Sequence, residues 1–256
     1  MPAPTNSFKK ALADGERVIG CWMSFAEPYL AEIMGTTGFD WLLVDGEHAP
    51  NDIRSIRDQL TALRSSPSHP VVRVPVGETW IIKQILDAGA QTILVPIVES
   101  AEQARELVRA CTYPPLGTRG VGATAARASL FGSVSEYVPT ADDEICLLVQ
   151  VENRAGIEAL DAILAVEGVD GVFIGPADLS ADMGYAGNST ASEVQEVIAD
   201  AIARIHAAGK APGILGKTEE TIQGYLDMGA QFVAVGIDVM ILARNARNLA
   251  KRWKAE

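Results

Sequence analysis

Hydrophobic residues in this chain gather into short, nearly continuous runs separated by longer stretches in which apolar residues recur every three or four positions. Eight runs read as strands: VIGCWMSF from 18, FDWLLVD from 39, VVRVP from 71, AQTILVPIV from 90, CLLVQVE from 146, VDGVFIGP from 169, APGILG from 211 and FVAVGID from 232. Continuous apolarity of that kind suits strands buried on both faces of a parallel sheet. Between them, IRSIRDQLTALR, AEQARELVRAC, ASEVQEVIADAIARIHAAG and ARNARNLAKRWK carry the spacing of amphipathic helices. The alternation predicts βα units. A Gly-x-[Asp/Gln] signal precedes a strand in TGFDWLLVD, AGAQTILVP, EGVDGVFIG and MGAQFVAVG, placing a left-handed glycine where a helix stops before the chain enters the sheet. LDAGAQTILVPI from 86 and LDMGAQFVAVGI from 226 agree at seven of twelve positions, an echo half a barrel apart.

Length then fixes the number of units. At 256 residues the chain matches one (β/α)8 TIM barrel, a single domain over 1–256. Residues 112–144, rich in Gly, Pro and small side chains, read as a long active-site loop after strand four, folding over the mouth. A net charge of −12 argues against nucleic acid or an anionic membrane as a partner. No stretch has the length and apolarity of a spanning helix or secretory signal, and three cysteines at no metal-like spacing point to a reducing, cytoplasmic setting.

Charged and polar residues collect at the C-terminal ends of the strands, where barrel enzymes carry their chemistry. Strand two ends Asp45-Gly46-Glu47-His48, strand three carries Arg73, strand five carries Gln150 and Glu152, and strand six runs into Gly175-Pro176-Ala177-Asp178. Gln150 and Glu152 are two apart and point the same way. Glu152 and Asp178 make an oxygen-rich pair suited to Mg²⁺, Mn²⁺ or Co²⁺. The alternative is structural: one salt-bridged to Arg73 or Arg119, the other capping the next helix. His48 is either a satisfied structural residue or a base oriented by a neighbouring carboxylate. Arg73, in an apolar strand, needs an anionic partner: Glu47 or Glu152, or a substrate.

DWLLVDGEHAPND, VVRVP, YPPLGTRGVGA, LLVQVE and EGVDGVFIGPADLS resemble the signatures of the metal-dependent, class II pyruvate aldolases, the family that includes 4-hydroxy-2-oxoheptanedioate aldolase and 2-dehydro-3-deoxyglucarate aldolase. The resemblance spans essentially the whole chain. It implies reversible aldol cleavage of 4-hydroxy-2-oxo acids to pyruvate, or hydroxypyruvate, and an aldehyde. It implies that Glu152 and Asp178 hold the divalent metal, which pyruvate chelates, and that Gln150 with the backbone of Gly175, Pro176, Ala177 and Asp178 positions the substrate. His48, with Asp45 nearby, is then the base, acting through a water on the metal, and Arg73 stabilises the developing enolate. The family also gives the aspartate matching Asp87 a basicity-raising role, although Asp87 falls at the end of the helix before strand four, near the opposite face, as Asp227 does in the internal echo. Further implications are a homo-oligomer, a hexamer built as a trimer of dimers, with the C-terminal helix at about 239–254 exchanged between subunits. One residue departs from the family pattern: Lys217, after strand seven, is a recognition residue for an acidic aldehyde, a solvated lysine, or the nucleophile of a Schiff-base (class I) aldolase. A non-catalytic barrel that binds 2-oxo acids is the remaining alternative.

Overall fold

Gly38, Gly89, Gly168 and Gly229, the four glycines of the repeated signal, all take positive φ, between +89° and +103°. Each stops a helix and turns the chain into a strand, which sets the rhythm of the fold. Eight parallel strands follow in chain order: β1 (Val18–Met23), β2 (Trp41–Asp45), β3 (His69–Arg73), β4 (Thr92–Val95), β5 (Cys146–Val151), β6 (Gly171–Ile174), β7 (Ala211–Leu215) and β8 (Phe232–Ile237). They close into one barrel in a computed structural model that describes residues 1–254. The fold is the expected (β/α)8 barrel, and the last two residues of the 1–256 span lie outside the described residues. The helices are α1 (Ser7–Ala13), α2 (Pro28–Met34), α3 (Ile53–Ala62), α4 (Thr79–Asp87), α5 (Ala101–Cys111), α6 (Tyr137–Ala141), α7 (Arg154–Glu158), α8 (Leu160–Leu164), α9 (Pro176–Asp182), α10 (Ser192–Ala207), α11 (Glu219–Asp227) and α12 (Asp238–Trp253).

Strand periodicity divides the core into two shells. Trp41 and Leu43, Val71, Leu94, Cys146 and Leu148, Phe173 and Phe232 pack together as the barrel interior. Their neighbours Leu42, Val44, Val72, Ile93, Val149 and Val172 belong to the larger cluster that includes the helices. Helix α1 plugs the N-terminal end: Phe8 stacks on His69 at 5.5 Å and meets Trp41 and Phe232 edge-on at 6.0 and 6.1 Å. Burial pushes the His69 imidazole down to about 4, so the ring is neutral at physiological pH.

The 112–144 segment does not cover the mouth. Helix α5 intervenes between β4 and this segment, so the chain has already returned to the N-terminal end of the barrel when the segment begins. There it packs on the chain's first residues and on the ends of α3 and α4: Ala3 N donates to Thr140 Oγ1 at 2.8 Å, and Arg127 reaches Leu60 O and Ala88 O. Sequence composition identified the loop, but a barrel assigns its face by whether a strand or a helix precedes it.

Candidate active site

The interior stacks of β2, β3 and β5 change from apolar to polar at their last rung. Trp41 and Leu43 lead to Asp45, Val71 leads to Arg73, and Cys146 and Leu148 lead to Gln150, with Glu152 one further alternation beyond. Period-two geometry therefore brings all four to the C-terminal mouth.

Asp45 and Arg73 are register partners on adjacent strands. Arg73 donates from Nε to Asp45 Oδ1 at 2.9 Å and from Nη2 to Asp45 Oδ2 at 2.7 Å, a two-pronged, charge-assisted pair. Arg73 Nη1 also lies 2.8 Å from Glu47 Oε2, as an ion-pair contact without hydrogen-bond geometry. Trp22 supports both partners: its Nε1 donates to Asp45 Oδ2 at 3.2 Å, and the Arg73 guanidinium lies 5.2 Å from the centre of its ring. Burial raises the Asp45 carboxyl, but the Arg73 hydrogen bonds and charge outweigh it and hold the group below its ordinary value.

Of the two carboxylates beside His48 in the sequence, Asp45 does not contact the ring. Asp45 Oδ1 accepts the backbone N–H groups of Glu47 and His48, at 3.0 and 3.2 Å, and so fixes the loop instead. The carboxylate near the imidazole is Glu47, with Oε2 3.9 Å from His48 Nε2, and the His48 side chain is 67% exposed. Its ring is thus free to meet a substrate at the rim.

Glu152 is 5% exposed and has no cation partner among the described residues. Its Oε1 accepts the Ile97 N–H at 2.9 Å and its Oε2 accepts from Gln150 Nε2. Ile97 pays for this placement with φ +53°, a left-handed conformation rare for a β-branched residue. Gly175 supplies room on the other side, since a Cβ there would lie 2.5 Å from Glu152 Oε2 and 3.3 Å from Gln150 Nε2. Asp178 sits in the first turn of α9, whose N-cap, Gly175, offers no side-chain cap. Neither structural alternative for the two carboxylates is realised: Arg73 pairs with Asp45 and Glu47, Arg119 pairs with Asp87, and Asp178 is not an N-cap.

Glu152 and Asp178 line one cavity of about 220 Å³ with Glu47, His48, Ile97, Asn153 and Asp182. Asp182 Oδ2 is engaged by the Arg154 N–H at 2.8 Å, and Asn153 caps α7. The Glu152 carboxyl is pushed up by burial, with the charges of Asp178 and Glu47 adding to the shift. Burial likewise raises Glu47 against the opposing pull of Arg73 and His48, and Asp178 adds to the rise. Glu152 and Asp178, which have no cationic partner among the described residues, together with the like charge of Glu47 beside them, fit a divalent cation. The described residues contain no group of three His, Cys, Asp or Glu side chains placed to hold a metal ion, so Glu152 and Asp178 would be able to hold one only with water or substrate completing its oxygen shell, as Mg²⁺ sites commonly do.

The remaining expected site residues are dispersed. Asp87, the last residue of α4, accepts from Arg119 Nη2 at 3.0 Å and lies outside this cavity. Pro176 and Ala177 border it only through α9; they line a neighbouring cavity of about 220 Å³ with Ser189, Thr190 and Lys217. Lys217 is exposed rather than desolvated, and no lysine lines the carboxylate cavity. Trp22 and Ile97 were missed from sequence. The aromatic residue in β1 was a findable signal, whereas the backbone N–H of Ile97 has none.

The model of the HpcH/HpaI aldolase/citrate lyase family matches residues 18–245. A protein of Roseovarius nubinhibens named hydroxypyruvate/pyruvate aldolase is 61% identical over 256 residues, covering 100% of both chains. An Escherichia coli protein named 4-hydroxy-2-oxo-heptane-1,7-dioate aldolase is 53% identical over 251 residues, covering 98% of this chain and 96% of its own. Among solved structures, an HpcH/HpaI aldolase/citrate lyase family protein from Burkholderia cenocepacia superposes with a TM-score of 0.95 at 38% identity, covering 98% of this chain and 100% of that one.

Proposed function

The chain belongs to the HpcH/HpaI aldolase/citrate lyase family and is a carbon–carbon lyase, and from that premise we propose that it performs divalent-metal-dependent, reversible aldol cleavage of 4-hydroxy-2-oxo acids, giving pyruvate or hydroxypyruvate and an aldehyde. The observation that carries the metal-dependent reading is the buried Glu152, sharing with Asp178 and His48 a cavity that no lysine or arginine side chain lines, beside an arginine locked in place by two carboxylates.

Glu152 and Asp178 would hold the divalent cation, Mg²⁺, Mn²⁺ or Co²⁺. When bound, the ion supplies electrophilic stabilisation to the negative charge that develops on the 2-oxo acid. Gln150 and the backbone from Gly175 to Asp178 position that acid. His48, exposed at the rim, takes the proton of the 4-hydroxyl as the C3–C4 bond breaks and the aldehyde forms. The electron pair of that bond passes to the 2-oxo acid fragment, where Arg73 stabilises it. Asp45 and Trp22 keep the guanidinium fixed, so little reorganisation accompanies the charge shift. A proton delivered to C3 completes pyruvate. Asp87 has no part in this chemistry within one subunit. The exposed Lys217 serves recognition of an acidic aldehyde in the neighbouring cavity, not nucleophilic catalysis.

The assembly proposed is a homo-oligomer, a hexamer as a trimer of dimers, in which α12 is exchanged. Helix α12 buries only Asp238 and leaves Met240, Leu242, Leu249 and Trp253 more than half exposed, beside an apolar groove at the ends of β7 and β8. Leu249→Glu should therefore shift the sedimentation coefficient towards a smaller species. A cytoplasmic location accords with three buried free cysteines.

Pyruvate release from a panel of 4-hydroxy-2-oxo acids, with chelator and with added Mn²⁺, tests the mechanism on wild type and Glu152→Ala. Metal-dependent release that the substitution abolishes is expected. Chelator-insensitive activity in both proteins would refute the reading.

A further inference from the structure

The N-terminal end of the barrel contains a second polar cavity, of about 320 Å³, built partly by the 112–144 segment. Arg64, just after α3, and Arg127, in that segment, both line it. The buried and half-buried arginines Arg73, Arg119 and Arg204 each pair with a carboxylate, Asp45, Asp87 and Asp161 in turn, whereas the half-buried Arg127 does not. Among the described residues no carboxylate lies within ion-pair distance of Arg64 or Arg127, and no acidic side chain lines their cavity.

Helix capping explains part of this arrangement. Arg127 donates from Nη1 to Ala88 O at 2.9 Å and from Nη2 to Leu60 O at 3.0 Å, so it closes the C-terminal ends of α4 and α3, where a cation is favoured. Gly89 makes the approach possible, because a Cβ there would lie 2.4 Å from Arg127 Nη1. Capping leaves Arg64 unexplained. Burial first, and the charge of Arg64 second, depress the pKa of Arg127, so the two guanidiniums sense each other without a counter-charge. Two like charges beside one cavity are relieved by an anion that both can contact: the exposed Arg64 has its whole fork uncommitted, and Arg127, whose Nη1 and Nη2 each donate once to a carbonyl, keeps its other N–H groups for carboxylate or phosphate oxygens. Leu60, Leu63 and Leu130 add apolar wall, and the volume exceeds what a bare oxyanion needs.

We infer that this cavity is a binding site for a small metabolite dianion, a phosphate ester or a dicarboxylate, whose oxyanion bridges Arg64 and Arg127, at the barrel end opposite the carboxylate cavity.

Inorganic phosphate and succinate are the probes, titrated separately into the metal-loaded enzyme and followed by calorimetry and thermal denaturation. Saturable binding of at least one is expected, weakened about tenfold or more by Arg64→Ala, abolished by Arg64→Glu and unaffected by Glu152→Ala. Preference for phosphate assigns the ligand to phosphorylated metabolites, and preference for succinate assigns it to dicarboxylates. Arg64 is exposed, so pyruvate release in its variants should stay at the wild-type level and verify that they fold. Equal binding by wild type and Arg64→Glu, or no saturable binding of either anion, overturns the inference.

Discussion

Replacing Glu152 by glutamine removes one negative charge from the carboxylate cavity and changes little else. The new amide retains an oxygen to accept the Ile97 N–H. It also faces Gln150, whose Oε1 is buried without a partner, so a rotation of the Gln150 amide restores the second hydrogen bond. What disappears is a carboxylate that is 5% exposed and repelled by Asp178 and Glu47. Because its folded-state pKa is raised, Glu152 favours folding below the ordinary carboxylate range, and that contribution is lost as pH rises through the folded value. At neutral pH the ionised group opposes folding, by about 1–3 kcal/mol for a charge buried without an opposite partner. In chelator at pH 7, Glu152→Gln should therefore melt above wild type by roughly 2–12 °C for a chain of this size. Mn²⁺ should close that gap or reverse it. At a hundred times its Kd an ion bound only by the folded state stabilises wild type by about 2.7 kcal/mol, roughly 5–10 °C, whereas the variant should shift little. Scanning calorimetry of both proteins in EDTA and in Mn²⁺, with pyruvate release on the same samples, reads both halves. A variant that melts below wild type in chelator, or that keeps the full Mn²⁺ shift, would refute the reasoning.

His48→Ala should lower kcat about 10²–10⁴-fold for loss of the base, while its exposed side chain predicts a stability change within about 0.5 kcal/mol by urea denaturation; a large stability loss would instead assign the ring a structural role. Gly175→Ala drives a methyl group against Glu152 and Gln150, so pyruvate release should fall about 10²-fold through misplacement of the site, with far-UV circular dichroism unchanged. Asp45→Asn leaves Arg73 with Glu47 as its sole carboxylate and should cost about 2–4 kcal/mol at pH 7. Since Arg73 holds the folded-state pKa of Asp45 down, that stability is present above the ordinary carboxylate range and is lost as pH falls through the folded value. The Tm difference between wild type and Asp45→Asn should thus narrow below about pH 4.

Hydrophobic patterning located all eight strands because a parallel barrel buries both faces of each strand, and the left-handed glycines at 38, 89, 168 and 229 marked the starts of β2, β4, β6 and β8. The polar last rungs were legible for the same reason: Asp45, Arg73, Gln150 and Glu152 interrupt apolar runs at the end of a strand. Partner choice was not legible. Which of three nearby carboxylates Arg73 takes depends on strand register, and β2 to β3 pairing sets Asp45 directly opposite. The plug formed by Phe8 depends on α1 folding under the barrel, a long-range event with no local signature. The placement of residues 112–144 failed on topology alone, because α5 separates them from β4.

On the aldolase reading, charge sets the order in which the site fills. The substrate is an anion, the chain carries a net charge of −12, and the cavity is lined by Glu47, Glu152, Asp178 and Asp182. Arg73 is the nearest fixed positive charge, yet Asp45 and Glu47 already compensate it. Its guanidinium is arranged to respond to charge that develops during bond cleavage more than to capture an incoming carboxylate. Capture would therefore fall to a cation held by Glu152 and Asp178, and the metal would be expected to bind before the 2-oxo acid. The strained backbone at Ile97 and the missing side chain at Gly175 serve the same end. Both keep a buried carboxylate pointed at a position where it is unfavourable by itself and favourable once a cation is bound.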